Sequence, residues 1–331
     1  MPKKPIAPPS SPLVAVVGSF NVDHVWRCEA LPAAGATLGG EYASGPGGKG
    51  FNQAVAAARA GAPTAFVCAL GDDLGGHHAR SLAAGEGIDL RAQSAEVPTG
   101  SAGIFVDAQG RNSIVVGPGA NAALSPAFVD AQAALFDGAR VALAQLETAA
   151  DAAKAAFAQT RAGGGLTVLN PAPANAQVPA ELLALADVLT PNETECAALF
   201  RRLGERLDGE AIASLDSPRL HALCRDLLPG GTVVVTLGAA GCFVSHADET
   251  RRGDEAAYYR QSSEPATVVD TTGAGDAFSG ALAAALALWP ERPFSAQVRF
   301  ANRYAALSTE HHGAALAMPT REQLLARFPE G

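Results

Sequence analysis

Asp270-Thr271-Thr272-Gly273-Ala274-Gly275-Asp276 is the stretch on which the reading of this chain turns. An apolar run, Ala266 to Val269, precedes it, and a long Ala-rich run, Ala277 to Leu288, follows it. That order predicts a strand, a tight glycine turn and a buried helix. Gly273 and Gly275 let the backbone come close to a ligand. The first N–H groups of a helix have no intrahelical acceptor, so they attract anions. Asp276 is then a carboxylate beside an anion site, which is what transfer of a phosphoryl group to a hydroxyl requires. The same residues also fit a plain helix start, because Asp caps helices and Gly makes turns.

Working outward, the 331 residues allow roughly two domains, or one large α/β domain with an addition. Hydrophobic residues make up 48% of the chain, enough for a large core, and the 35 glycines favour close helix–sheet packing. The net charge of -9 and the lack of a long basic block argue against nucleic acid as a partner. A small anionic ligand in a local positive pocket is still allowed. Cys28, Cys68, Cys196, Cys224 and Cys242 are odd in number and form no C-x-x-C pair, so neither a disulfide framework nor a zinc site is expected. Residues 1–12, MPKKPIAPPSSP, lack an apolar core segment and read as a disordered lead-in, not a signal peptide. The longest apolar run, Ala281 to Trp289, is too short to span a bilayer. A cytoplasmic protein with no membrane partner is expected.

Short apolar runs at Leu13 to Val17, Ala65 to Leu70, Val141 to Leu146, Leu166 to Leu169, Asp187 to Leu189 and Thr232 to Leu237 read as buried strands. Helical segments such as Asn52 to Ala60, Pro126 to Phe136 and Ala149 to Arg161 lie between them. The alternation predicts an α/β fold: a mainly parallel sheet covered by helices on both faces over residues 13–331. Ligands in such sheets bind beyond the carboxyl ends of the strands. Two segments, about 22–46 and 97–118, alternate apolar with polar or small residues and read as a small inserted β-sheet. Within the second, Ser101 to Asp107 and Asn112 to Val116 flank Ala-Gln-Gly-Arg as a hairpin.

Gly45-Pro46-Gly47-Gly48-Lys49-Gly50 matches G-x-G-x-x-G, but no buried strand precedes it, and no Ser or Thr follows Lys49. Dinucleotide and Walker A readings therefore fail. What remains is a glycine loop that exposes N–H groups and one Lys, with Asn52 in the following helical turn. Asn21 and Asp23 alternate past the first strand, so both side chains point the same way. An amide beside a carboxylate suits vicinal hydroxyls, and a local turn is the simpler alternative. Asn192 and Glu195 have capping-box spacing and could equally reach a metal–triphosphate. Thr236 to Gly241 ends an apolar strand as a nucleotide-binding turn or a simple hairpin. The pairs His77-His78 and His311-His312 are adjacent and do not share a helix face, which disfavours a two-His metal site.

These pieces occur together and in order. GSFNVDH (18–24), GPGGKGFNQA (45–54), TGSAGIFVD (99–107), GPGANAALSP (117–126), LNPAPA (169–174), TPNETE (190–195), TLGAAG (236–241) and DTTGAGDAFSG (270–280) resemble the ribokinase-type carbohydrate kinases from about residue 13 to residue 320. By that resemblance, Asp276 is similar to the base that deprotonates a sugar hydroxyl, and Gly273, Ala274 and Gly275 are similar to the anion hole. Asn21, Asp23, Gly47, Gly48, Lys49, Asn52 and Glu147 match sugar-contacting positions. Asn192, Thr236, Gly238, Gly241, Gly275 and Asn302 fall where the family holds ATP, and Glu195 where it holds Mg²⁺ through water. Asp270, Thr272, Ser308, His311 and Gly313 align with a monovalent cation site, usually for K⁺, mostly through backbone oxygens. Ala317 departs from the pattern there, since it offers no hydroxyl. The inserted sheet resembles a lid that closes over the sugar and often pairs two subunits, which implies a homodimer.

The implied activity is ATP-dependent phosphorylation of the 5-hydroxyl of D-ribose, giving ribose 5-phosphate and ADP. The alternatives are a sister kinase for a nucleoside, deoxyribose or a ketose, or a non-catalytic sugar-binding protein on the same fold. Phe20 and Phe51 keep the nucleoside reading open, although no large aromatic platform stands near Asn21.

Overall fold

The computed structural model describes residues 13–329. The lead-in expected over residues 1–12 lies outside them. Thirteen strands occur among the described residues, in chain order β1 (Val14–Val17), β2 (Asn21–Arg27), β3 (Glu41–Gly47), β4 (Thr64–Gly71), β5 (Asp89–Ala95), β6 (Gly100–Val106) and β7 (Asn112–Gly117). They continue with β8 (Val141–Ala144), β9 (Leu166–Leu169), β10 (Val188–Leu189), β11 (Thr232–Thr236), β12 (Cys242–Ser245) and β13 (Tyr258–Gln261).

Nine strands form one sheet, ordered β13-β12-β11-β10-β9-β8-β1-β4-β5. It is parallel except where β12 pairs with β11 and β13. Strands β1, β4 and β8 are buried along their whole length, as central parallel strands covered on both faces must be. The two faces can be seen in β1 itself. Val14 and Val16 pack into the cluster that holds Phe278 and Ala281, while Ala15 and Val17 pack with Val129, Phe136 and Ala156.

On the first face the helices Lys49–Arg59 and Ala274–Leu288 run against each other. The contact is made of small residues. A Cβ placed on Gly280 would stand 2.6 Å from Ala56 Cβ and fall onto the Gln53 carbonyl.

The other four strands make the second sheet, β3-β2-β6-β7. The expected hairpin is its β6–β7 pair, with Ser101 opposite Gly117 and Val106 opposite Asn112. Register brings Trp26 between Tyr42 and Phe105, and these rings pack at 5.3 Å. Strand β7 is exposed along its length, including Ile114, Val115 and Val116.

Two expected elements differ. Ala266 to Val269 is not a strand: the Val269 and Asp270 N–H groups both donate to the Thr309 carbonyl at a helix end, at 2.8 and 3.0 Å, instead of to a neighbouring strand. Val268 and Val269 are 62% and 46% exposed, so hydropathy there does not report burial. The helix expected over Pro126 to Phe136 is two short helices, Pro126–Asp130 and Ala133–Asp137, with a break that nothing in the local sequence explains. All five cysteines are free thiols.

Candidate active site

The turn at 270–276 places its carboxylate inside the helix, not at the cap. Gly273 is the N-cap with φ 77°, a left-handed conformation that favours glycine, and no side chain caps the helix. The Ala274 N–H donates to Thr271 O at 3.2 Å, and Ala277 N–H makes the first full-turn bond, to Gly273 O. Gly275 and Asp276 therefore carry helix-start N–H groups with no intrahelical acceptor. The space beside Gly275 is open where a Cβ would stand.

Asp276 is the third residue of the helix and is buried at 6% exposure. Its Oδ2 accepts from Asn52 Nδ2 at 2.9 Å, and its Oδ1 accepts from Gln53 Nε2 at 2.9 Å. Burial pushes its pKa up, while the Lys49 charge and the two amide donors pull it back.

The sugar-side residues converge on the same point. Asn21 and Asp23 lie in β2 opposite Gly47 and Gly45 of β3. Asn21 Oδ1 accepts from Asn121 Nδ2 at 2.7 Å, and Asn121 is clamped by the Phe20 N–H and carbonyl, both at 3.0 Å. Burial, and then the neighbouring Glu147 charge, raise the Asp23 pKa to about 6.

Gly48, at φ 87°, caps the helix that begins at Lys49, and a Cβ there would stand 2.8 Å from Asn21 N. The cap glycine has no side chain, and Glu147 does its work: Glu147 Oε2 accepts from Lys49 N–H at 3.0 Å and from Ser19 Oγ at 2.6 Å. Burial opposes the Lys49 charge, but Asp276, Glu147 and Glu195 outweigh it and hold the ammonium above its usual pKa. Asn52 spends one amide hydrogen on Asp276, and its Oδ1 is buried without a partner. That atom is an acceptor waiting for a hydroxyl donor.

On the other side of Asp276, Asn192 and Glu195 form a full capping box. Asn192 Oδ1 accepts from Glu195 N–H at 2.8 Å, and Glu195 Oε2 accepts from Asn192 N–H at 2.9 Å. The box uses only one of the two carboxylate oxygens. Burial raises the Glu195 pKa, and the backbone bond and Lys49 oppose it. A buried carboxylate with a spare oxygen, beside a Lys and a helix start, suits Mg²⁺ held through water next to phosphates.

Asn192 also bridges to Thr236, which brings it beside the β11–β12 turn at Gly238–Ala240. That turn is therefore a hairpin and also a neighbour of the Asn192/Glu195 box. Asn302 is buried, and its amide donates to Ser262 O at 2.9 Å.

The positions aligned with a monovalent cation come together only in part. Asp270 Oδ1 accepts from Thr272 N–H at 2.9 Å and Oδ2 from Gly313 N–H at 3.0 Å, so both oxygens are engaged by the backbone. Ser308 Oγ donates to Ala305 O at 2.8 Å. His311 lines a separate hollow with Leu307, Pro319 and Gln323, while His312 is the imidazole near Asp270, at 3.8 Å. Ala317 is buried and supplies no oxygen from its side chain.

Five further residues join the site without having been singled out in the sequence. They are Ser19, Gln53, Asn121, Gln145 and Asn170, all buried. Gln53 adjoins Asn52, and Asn170 lies inside the LNPAPA motif, so a search for amides next to the assigned residues could have found those two.

Residues 11–321 match the pattern of the family described as pfkB family carbohydrate kinase. The chain belongs to this family. Among its relatives, a ribokinase of Haemophilus influenzae is 38% identical over 318 residues, covering 94% of this chain and 97% of that one. A bifunctional ribokinase/ribose-5-phosphate isomerase A of Fructilactobacillus sanfranciscensis is also 38% identical over 94% of this chain, but the match spans 55% of that longer protein. A solved structure of Arabidopsis thaliana ribokinase, complexed with ribose and ATP, superposes with a TM-score of 0.79 at 32% identity, covering 97% of this carbohydrate kinase and 98% of that chain. Among the described residues, no helix is long and apolar enough to cross a membrane.

Proposed function

We propose that this carbohydrate kinase is an ATP-dependent ribokinase, transferring the γ-phosphoryl group to the 5-hydroxyl of D-ribose to give ribose 5-phosphate and ADP. The observation that carries the reading is the Asp276 carboxylate. It is buried, held by two amides, and stands at an uncapped helix start between the braced Asn21/Asp23 pair and the Asn192/Glu195 box. The curated relatives of similar length support ribose as the acceptor.

Asn21, Asp23, Asn52 and Lys49 would hold the sugar hydroxyls, with the unpartnered Asn52 Oδ1 taking one donor. Asp276 takes the proton of the attacking hydroxyl as its oxygen bonds to the γ-phosphorus. The bond from phosphorus to the bridging oxygen breaks, and ADP leaves. The N–H groups from Gly273 to Gly275 would receive the charge on the transferring group. Glu195 would hold Mg²⁺ through water, and the ion would supply charge neutralisation on the phosphates. A monovalent activator, expected to be K⁺, would be held mostly by main-chain oxygens. Thr236, Gly238, Gly241 and Asn302 would border the nucleotide, and ATP as donor implies the cytoplasm.

The small sheet carries Asn21 and Asp23 and would close over the sugar, excluding water as a competing acceptor. Its exposed Tyr42, Ile114, Val115 and Val116 support pairing of two lids in a homodimer, which light scattering would test.

The decisive measurement is ADP release across ribose, deoxyribose, ketoses and nucleosides. Ribose should give the highest kcat/KM. No turnover with ribose alongside brisk turnover of another acceptor would overturn the substrate and leave the kinase chemistry standing.

A further inference from the structure

The carboxyl ends of three adjacent parallel strands each carry one polar residue. Gln145 follows β8, Asn170 follows β9 and Thr190 follows β10. All three are buried, and the row lies under the start of the Ala-rich helix, where Thr190 Oγ1 meets Ser279 Oγ at 3.0 Å. Gln53, fully buried on the helix Lys49–Arg59, sits between this row and Asp276.

The direction of every amide in this row follows from one atom. The Thr190 carbonyl can only accept, so the group facing it at 2.8 Å is Asn170 Nδ2. Asn170 Oδ1 must then face Gln53, and it accepts from Gln53 Nε2 at 3.0 Å. The same Nε2 has one hydrogen left, and Asp276 Oδ1 takes it at 2.9 Å. Gln53 Oε1 is forced to the far side, where it accepts from Gln145 Nε2 at 2.5 Å. With the amide turned round, two acceptors would face Gln53 Oε1 and two donors would meet across Gln145, which a buried site does not tolerate.

We infer that Gln53 is a positioning residue for the Asp276 base, and that Asn170 and Gln145 together fix its amide so that it only donates to that carboxylate. The inference rests on the proposed role of Asp276 as base. A constant donor on Oδ1 holds the carboxylate in one rotamer and favours its ionised form in a site that burial would otherwise neutralise. The charged groups around Asp276 are Lys49 on the helix of Gln53, Glu147 beyond β8 and Glu195 on the helix that starts at Glu193. Glu147 in turn acts on Asp23 of β2. Lys49 stabilises the ionised carboxylate and the two glutamates oppose it, so the Gln53 donor stands with Lys49 and Asn52 on the favourable side.

The test is the pH dependence of kcat, measured with whichever sugar the wild-type enzyme turns over best. Failure of ribose as acceptor is thereby separated from failure of this inference. Gln53→Met keeps the volume and removes the donor. It should lower kcat about tenfold to a hundredfold, the range seen for partners that orient a functional group, and move the acid limb of the profile to higher pH with little change in the KM for sugar. Gln145→Met leaves Gln53 in place but frees its amide, so the same two effects should appear in smaller measure. Gln53→Glu retains the acceptor for Gln145. It sets a carboxylate against Asp276 Oδ1, and its acid limb should move up furthest. Folded variants, checked by thermal melting, whose acid limbs coincide with that of the wild type would overturn the inference, even if kcat had fallen. An order other than Gln53→Glu above Gln53→Met above Gln145→Met would do the same.

Discussion

The two sides of Asp276 are built from different materials. On the side proposed for the sugar, three side chains are held by other side chains: Asn21 by Asn121, Asn52 by Asp276, and Ser19 by Glu147. On the side proposed for the nucleotide, the Asn192/Glu195 box is tied to backbone N–H groups, and beside it lie the glycine turn at Gly238 and the open helix start at Gly275. A sugar is a small ring of hydroxyls, distinguishable only by donors and acceptors at fixed points, so its side of the site must be rigid before it arrives. A nucleotide brings a large flat base and a chain of charge, which main-chain N–H groups and apolar walls accept with little preorganised detail. Specificity therefore belongs to the sugar side.

The largest effect should come from the atom that the two sides share. Asp276→Asn keeps the shape and removes the base, and kcat should fall about 10²- to 10⁴-fold, with sugar affinity by calorimetry nearly unchanged. Retained turnover would remove Asp276 from the role. Next is Gly48→Ala, which forces a side chain into a left-handed position and against Asn21 N. It should cost about 1–3 kcal/mol, read as a lower Tm and a weaker affinity for sugar with ATP affinity spared.

Asp23 gives a smaller effect with a definite sign. Its folded pKa of about 6 lies above the ordinary 3.8, so the folded state holds more protons than the unfolded state between those values. Stability should fall as pH rises through that window. Sugar affinity should rise over the same window as the carboxylate becomes an acceptor. Asp23→Asn should flatten both trends in melting and binding curves measured from pH 4.5 to 7.5, and an unaltered pH dependence would relieve Asp23 of that part. The smallest effect is expected on the nucleotide side, where Ala317→Ser should increase the response of kcat to added K⁺ only slightly.

The turn at 270–276, the inserted hairpin and the alternation of Asn21 with Asp23 could be read from the sequence because each rests on local geometry: a glycine, a two-residue period, a helix start. The capping box of Asn192 and Glu195 was legible in the same way, since it is defined by a spacing of three. The row Gln145, Asn170, Gln53 was not legible, because its members are brought together by the order of β8, β9 and β10 in the sheet and not by any spacing along the chain. Ala266 to Val269 misled for the opposite reason. Ala-Thr-Val-Val suggests a strand, but whether a strand forms depends on a neighbour to pair with, and here the Thr309 carbonyl at a helix end takes the N–H groups instead.

The contact at Gly280 has a mechanical consequence. With no Cβ at that point, the helix that carries Lys49 and Asn52 and the helix that carries Asp276 are pressed into one body. The gap between base and acceptor is then set when the protein folds, not when sugar binds, and part of the entropic cost of alignment is met before catalysis begins. Any closing motion of the small sheet proposed above would leave this helix pair, and with it the spacing of Lys49 and Asn52 from Asp276, unchanged. A chain in which the moving part and the aligning part are separate can loosen its gate without losing its aim.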